Sequence, residues 1–282
     1  VALSVEASLQ QKYGLNSLVY YIFVFSATVL YYTHAYMAET ITNSSNRRSI
    51  WYVRNHEAMR WSQLLLTAIA MISGLALLYQ FGSRMVSASL LQWVVIGIFP
   101  VAAALYYGSA APLNSSHSLR NNGWLKPFVI GFVWAGTVTV YPVLFKSIED
   151  GSPYNPQLFN LLLFIKNLMF ITILCIMFDF KDYAADHNKQ LKTFVVRVGL
   201  RKTIFYIILP LSIVGLGTFL SYAFSMHFPF WRIMINTLPF VLLIMVALSM
   251  QRRKSILYYL AIIDGLMLVK AVCGIIGITL IK

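Results

Sequence analysis

Along the 282 residues, apolar stretches of about twenty positions alternate with short polar ones. The apolar runs fall at 17–38, 62–80, 90–108, 127–146, 157–178, 203–224, 233–250 and 257–281. Each is long enough to cross a hydrocarbon layer about 30 Å thick as a helix. Lipid supplies no hydrogen-bond partners, so a crossing segment must satisfy its own N–H and C=O groups, which a helix does. The pattern predicts an all-α polytopic membrane helical bundle of eight full transmembrane helices. A truncated ninth is expected at 1–11: Val1 to Leu9 is too short to span and reads as the outer end of a helix that begins upstream. No basic n-region marks it as a signal peptide. The polar stretches are too short to house a soluble domain, so 1–282 is expected to form one membrane domain.

Composition supports the pattern. Hydrophobic residues make up 59% of the chain and charged ones 11%, with a mean hydropathy of +0.71. That is too little charge to coat a soluble protein of this size. The net charge of +13 would suggest nucleic acid in a soluble chain. Here the cations sit in short loops between apolar runs, a membrane-topology signal that argues against a nucleic-acid partner. Loops 39–61, 109–126, 179–202 and 251–256 carry fifteen Lys and Arg, against five (Lys12, Arg84, Lys146, Arg232, Lys282) on the other side. The first set is therefore expected in the cytoplasm, across a bacterial inner membrane. Cys175 and Cys273 both fall inside apolar runs and form no metal or disulfide framework.

Candidate chemistry concentrates in one loop. Of nine acids, Asp179, Asp182 and Asp186 fall within eight positions, directly after the run that ends at Phe178. At about 100° per residue they share roughly 60° of one helical face. Three like charges on one face repel unless a cation sits among them. Hard oxygen ligands with open positions suit Mg²⁺. The plain alternative is a solvated acidic loop. Lys181, Lys189, Lys192, Thr193 and Arg197 share the loop, and Arg120 and Lys126 lie in another on the same side. Carboxylate-held metal flanked by cations is the arrangement a diphosphate requires.

The stretch DFKDYAADHNKQLKTFVVRVG resembles the second aspartate-rich motif of the UbiA superfamily of intramembrane prenyltransferases, DxxDxxxD followed by a K-T-x-x-V-R-x-G tail. LYYGSAAPLNSSHSLRNNGWLKPFVIGFVWAGTV is similar to a second family segment, through Tyr107, Pro112, Arg120, Lys126 and Trp134. The resemblance implies a helical bundle around a lipid-facing cavity, in which a Mg²⁺-bound isoprenyl diphosphate ionises and alkylates a small, often aromatic, acceptor. It implies that Asp182 and Asp186 are catalytic and hold metal with Asp179. Lys126 and Arg197, with Arg120, Lys181 and Tyr107, would bind substrate. The chain departs from the family in its first motif, NxxxDxxxD. The corresponding region reads YYTHAYMAETITNSSNRRSIW, with Thr33, Met37 and Ile41 at one register and Glu39 its only acid. That departure keeps open a catalytically impaired, isoprenoid-binding relative, and more remotely a transporter. Charges inside the spans are costly and tend to face a bundle interior. On that ground Asp264 is expected to pair with Lys166 or Lys270.

Overall fold

The computed structural model describes all residues except 38–50, 53, 108–123, 184–192, 253 and 281–282, and of residues 32, 34–37, 105–107 and 182 the backbone alone. Among the described residues there are helices and no strands. They are α1 (Ala2–Gln10), α2 (Leu18–Met37), α3 (His56–Val86) and α4 (Leu90–Tyr107). After them come α5 (Lys126–Asp150), α6 (Leu158–Asp179), α7 (Phe194–Val198), α8 (Leu200–Ser225), α9 (Phe230–Ser249) and α10 (Ile256–Thr279). Six of these, α3, α5, α6, α8, α9 and α10, are long and apolar enough to cross a membrane. Large apolar side chains stand exposed on them, Ile72 at 69% and Tyr79 at 93% on α3 alone. Water penalises such a surface and lipid does not. The chain is an integral membrane protein.

The contacts divide the described residues into two compact units: 16–88 with 146–153, and 2–15 with 89–145 and 154–282. In the first, α2 packs along α3, with the Phe23 ring against Gly74 and the Gln63 amide donating to the Thr33 hydroxyl. The backbone N–H and hydroxyl of Ser17, just before α2, both donate to the Glu149 carboxylate, the hydroxyl at 2.7 Å. An acid there satisfies an orphan donor and complements the positive end of the helix dipole.

In the second unit α6 is the central helix, buried from Phe170 to Leu174 and again at Ile176 and Met177. Phe170, Leu174 and Met177 share a core with Ile204 and Ile208 of α8, Phe240 and Leu243 of α9, and Ile263 of α10. α5 crosses α6 closely because position 131 is glycine: a Cβ there would overlap the Thr172 side chain and press on its backbone. Small residues at crossings allow such approach in membranes, where lipid removes most of the hydrophobic drive to associate. α1 packs on α10 and on the turn of π-helix at Gly136–Val140 within α5.

The end of the aspartate stretch turns on one glycine. Gly199 takes φ 89° and ψ 143°, a conformation closed to side-chain-bearing residues without strain. Its N–H donates to Val195 O at 2.8 Å, closing α7, and its carbonyl accepts from Thr203 N at 2.9 Å, opening α8. Gly199→Ala is expected to destabilise the fold by about 1–3 kcal/mol. It should appear as a lower thermal unfolding temperature of the purified protein in detergent; an unchanged temperature would contradict the assignment.

Candidate active site

α6 ends at Asp179 and tightens into a 3₁₀ turn, Phe180–Asp182. Asp179 is 5% exposed. Its Oδ1 accepts from Lys126 Nζ at 3.0 Å. Lys126 opens α5 and is followed by Pro127, whose fixed φ and missing N–H suit a first turn. Gly131, five residues further on, lets α5 approach α6 closely enough for the pair to meet.

Both members oppose their own helices. A lysine at an N-terminus faces the positive end of the dipole, and an aspartate at a C-terminus faces the negative end. Each placement costs roughly 0.3–1 kcal/mol near a surface. Helix stability therefore does not explain either residue. Against each other the two charges offset what each helix opposes.

The tail of the aspartate stretch folds back onto the start of α5. Phe194, at 5% exposure, packs edge-on against Phe128 at 5.5 Å between ring centroids and lies 6.4 Å from Trp124. Two sequence stretches some fifty residues apart, one bearing Trp124 and Lys126 and the other Asp179 and Phe194, thus converge at one end of the unit. The buried Thr193 hydroxyl also belongs to that tail and has no hydrogen-bond partner among the described residues. Arg197, one helical turn on, is exposed. Lys181 is half-buried beside Asp182.

An apolar cleft of about 340 Å³ runs along the same helix pair, lined by Ala102, Phe128, Val129, Phe132, Leu168 and Thr172. Phe128 is two residues from Lys126, and Thr172 lies two turns from Asp179 on α6. Ligand cavities start at roughly 300 Å³. A charged pair and an apolar cleft thus lie on the same two helices, the two features that an amphiphile's site requires.

Of the residues expected from sequence, Asp179, Lys126, Lys181 and Arg197 have described side chains. Asp182 and Tyr107 are described in backbone only, and Asp186 and Arg120 lie outside the described residues. Among the described residues no three His, Cys, Asp or Glu lie close enough together to hold a metal ion; the set includes only Asp179 of the expected three. Its hard carboxylate oxygens suit Mg²⁺, and an ammonium already lies 3.0 Å from one of them. In the region of the absent first motif, the Thr33 hydroxyl is engaged with Gln63 and with Val29 O. The Met37 side chain, Glu39 and Ile41 lie outside the described residues.

The expected pairing of Asp264 is corrected. Lys270 pairs with Glu6 at 2.8 Å, and Lys166 bonds the Gln10 side chain at 3.3 Å. Asp264 and Lys270 are six positions apart, which puts them about 120° from each other around a helix. Asp264 is exposed on α10, directly after the π-helical turn Tyr259–Ile263, and lies within electrostatic reach of the Cys175 thiol, as do Asp179 and Lys126. Sequence reasoning noticed this acid and gave it the wrong neighbours. The visible signal was an aspartate inside an apolar span.

Comparison with protein-family models, with curated proteins and with solved structures finds no match for this chain. The functional reading rests on its own side chains.

Proposed function

We propose that the chain is a UbiA-like intramembrane prenyltransferase, moving a prenyl group from an isoprenyl diphosphate to a small-molecule acceptor, aromatic or lipid, with Mg²⁺ as cofactor. The observation that carries this reading is the Lys126–Asp179 pair, on the same two helices that line the apolar cleft. The prenyl chain lies in the cleft against Phe128, Val129 and Phe132. Its diphosphate meets Lys126, a mobile point charge, and the Thr193 hydroxyl, whose proton has no partner among the described residues. Asp179, Asp182 and Asp186 would hold Mg²⁺, which when bound offsets the charge of the leaving diphosphate. The allylic C–O bond breaks with its electron pair going to the diphosphate. The acceptor's nucleophilic atom then bonds the allylic carbon and loses a proton. The aromatic wall of the cleft excludes the water that would otherwise capture the cation. The fifteen-to-five distribution of cations supports a cytoplasmic position for this end in a bacterial inner membrane.

Purified protein given Mg²⁺ and geranyl or farnesyl diphosphate should release diphosphate, with release abolished by EDTA and by Asp182→Ala. No Mg²⁺-stimulated release at any chain length sinks the proposal. A second reading, an isoprenoid-binding relative without turnover, is favoured by Glu39 being the only acid in the first-motif region. Saturable binding of the prenyl diphosphate without release identifies it.

A further inference from the structure

A second charged cluster lies inside the same unit, away from Asp179. Glu6 of α1 is 1% exposed and Lys270 of α10 is 4% exposed. Lys270 Nζ donates to both Glu6 carboxylate oxygens, at 3.1 and 2.8 Å. Gln10 Nε2 donates to Glu6 Oε1 at 2.6 Å, and Gln10 Oε1 accepts from Lys166 Nζ at 3.3 Å. Ammoniums only donate and carboxylates only accept, so the Gln10 amide has one orientation, oxygen toward Lys166. Gly274 leaves the space the Glu6 side chain fills, since a Cβ there would overlap it.

Two ammoniums share this cluster with one carboxylate. Lys270 takes up the charge of Glu6. Lys166 is left with an amide oxygen and the face of the Phe219 ring, 5.7 Å away, and among the described residues no carboxylate lies at ion-pair distance from it. Lys166 is eight residues into α6, roughly 12 Å from the start of the helix. Its side chain bonds inward to Gln10 and remains only half-buried. Any counter-ion that reaches it from the surrounding hydrocarbon must carry its own apolar body.

The missing charge is single and the approach is from within the lipid. A diacyl phospholipid holds its phosphate at the interface through glycerol and two chains. A single-chain carboxylate is free to slide deeper, presents one negative charge, and accepts from an ammonium and an amide N–H at once. Gln10 Nε2 has a second N–H beyond the one it gives to Glu6. We propose that Lys166 and Gln10 form the headgroup site for a single-chain amphiphilic carboxylate of the fatty-acid class. The site is thirteen residues from Asp179 along α6, roughly 20 Å, and does not depend on prenyl transfer.

The test is equilibrium binding of radiolabelled oleate to the purified full chain in detergent at pH 7.4, where the probe carries its carboxylate and the lysine its ammonium. Wild type should bind saturably and one to one, and oleyl alcohol should fail to compete. Lys166→Met should weaken binding about tenfold or more, as loss of a charge-assisted hydrogen bond does. Lys166→Arg should hold within about threefold, because it keeps the charge. Gln10→Ala, with Lys166 intact, should weaken binding measurably and covers the case in which Lys166→Met fails to fold. Asp179→Asn should bind as wild type does. The proposal is overturned by the absence of saturable binding, by equal competition from the alcohol, or by undiminished affinity in both weakening variants. Displacement of oleate by short-chain phosphatidylglycerol at lower concentration, or loss of binding in Asp179→Asn, also overturns it, since either gives the anion another source or another site.

Discussion

Asp179→Asn is expected to abolish Mg²⁺-dependent diphosphate release while leaving the unfolding temperature within a few degrees of wild type or raising it. Asp179 is buried, and its ionised form is costly to hold out of water. The amide is nearly the same size and removes that cost. Lys126 retains a route to solvent, its side chain being 38% exposed, so the lost pair leaves no trapped ammonium. Stability and turnover should therefore move apart. That separation marks a group kept for chemistry at the expense of the fold. The reverse variant, Lys126→Met, leaves a 7% exposed carboxylate without its described cation, and it should lower the unfolding temperature as well as release. A release assay and a thermal melt on the same preparations read both quantities. Wild-type turnover in Asp179→Asn, or collapse of its fold, excludes the role given to this carboxylate.

The membrane architecture was legible from the chain because its physical cause is one-dimensional. A run of about twenty apolar residues has few structures open to it in lipid; each of the eight runs falls on a helix, and six of those helices are long and apolar enough to cross. The limits of those runs are less informative. α3 begins at His56 and continues to Val86, beyond the apolar window 62–80 at both ends, because polar residues lengthen a helix at no cost once it leaves the hydrocarbon. The meeting of Lys126 with Asp179 was half legible. Counting cations put both loops on one side, but it gave no reason for these two residues to touch. The reason is the close crossing at Gly131, a three-dimensional event.

Two features are not legible in the sequence, each for its own reason. Helical turns of π type at Gly136–Val140, Ile204–Ile208 and Tyr259–Ile263 shift the facing of every residue beyond them. No residue type announces them. Glu6 lies in 1–11, which is too short to span and so carries no signal of an intramembrane charge. Its partner lies 264 positions away. An intramembrane charge requires a counter-charge, and that rule correctly called for a partner for Lys270. The candidates were confined to the recognised spans, and there Asp264 was the only acid.

The Glu6–Lys270 pair gives the largest expected effect on stability. Lys270→Met removes the ammonium from both oxygens of a carboxylate that is 1% exposed, leaving the Gln10 amide and the more distant Lys166 to hold it. Breaking a buried pair on one side costs about 3–5 kcal/mol, far above the roughly 0.6 kcal/mol average of a neutral hydrogen bond between membrane helices. Glu6→Gln strands the Lys270 charge instead and should cost a similar amount. The double variant removes both charges and with them the desolvation each imposes, so it should recover most of the loss. Unfolding of the four proteins in detergent, closed as a double-mutant cycle, should return a coupling above about 2 kcal/mol. Additive single effects would mean that the carboxylate and ammonium are not partners. The same cycle reads the docking of α1, because this pair joins it to α10 across nearly the whole length of the chain. Protease accessibility of residues 11–17 should rise in each single variant and fall back in the double. A rise that persists in the double variant would show that α1 needs the charges themselves, and would shift the cluster from a bond between helices to a device for placing one of them.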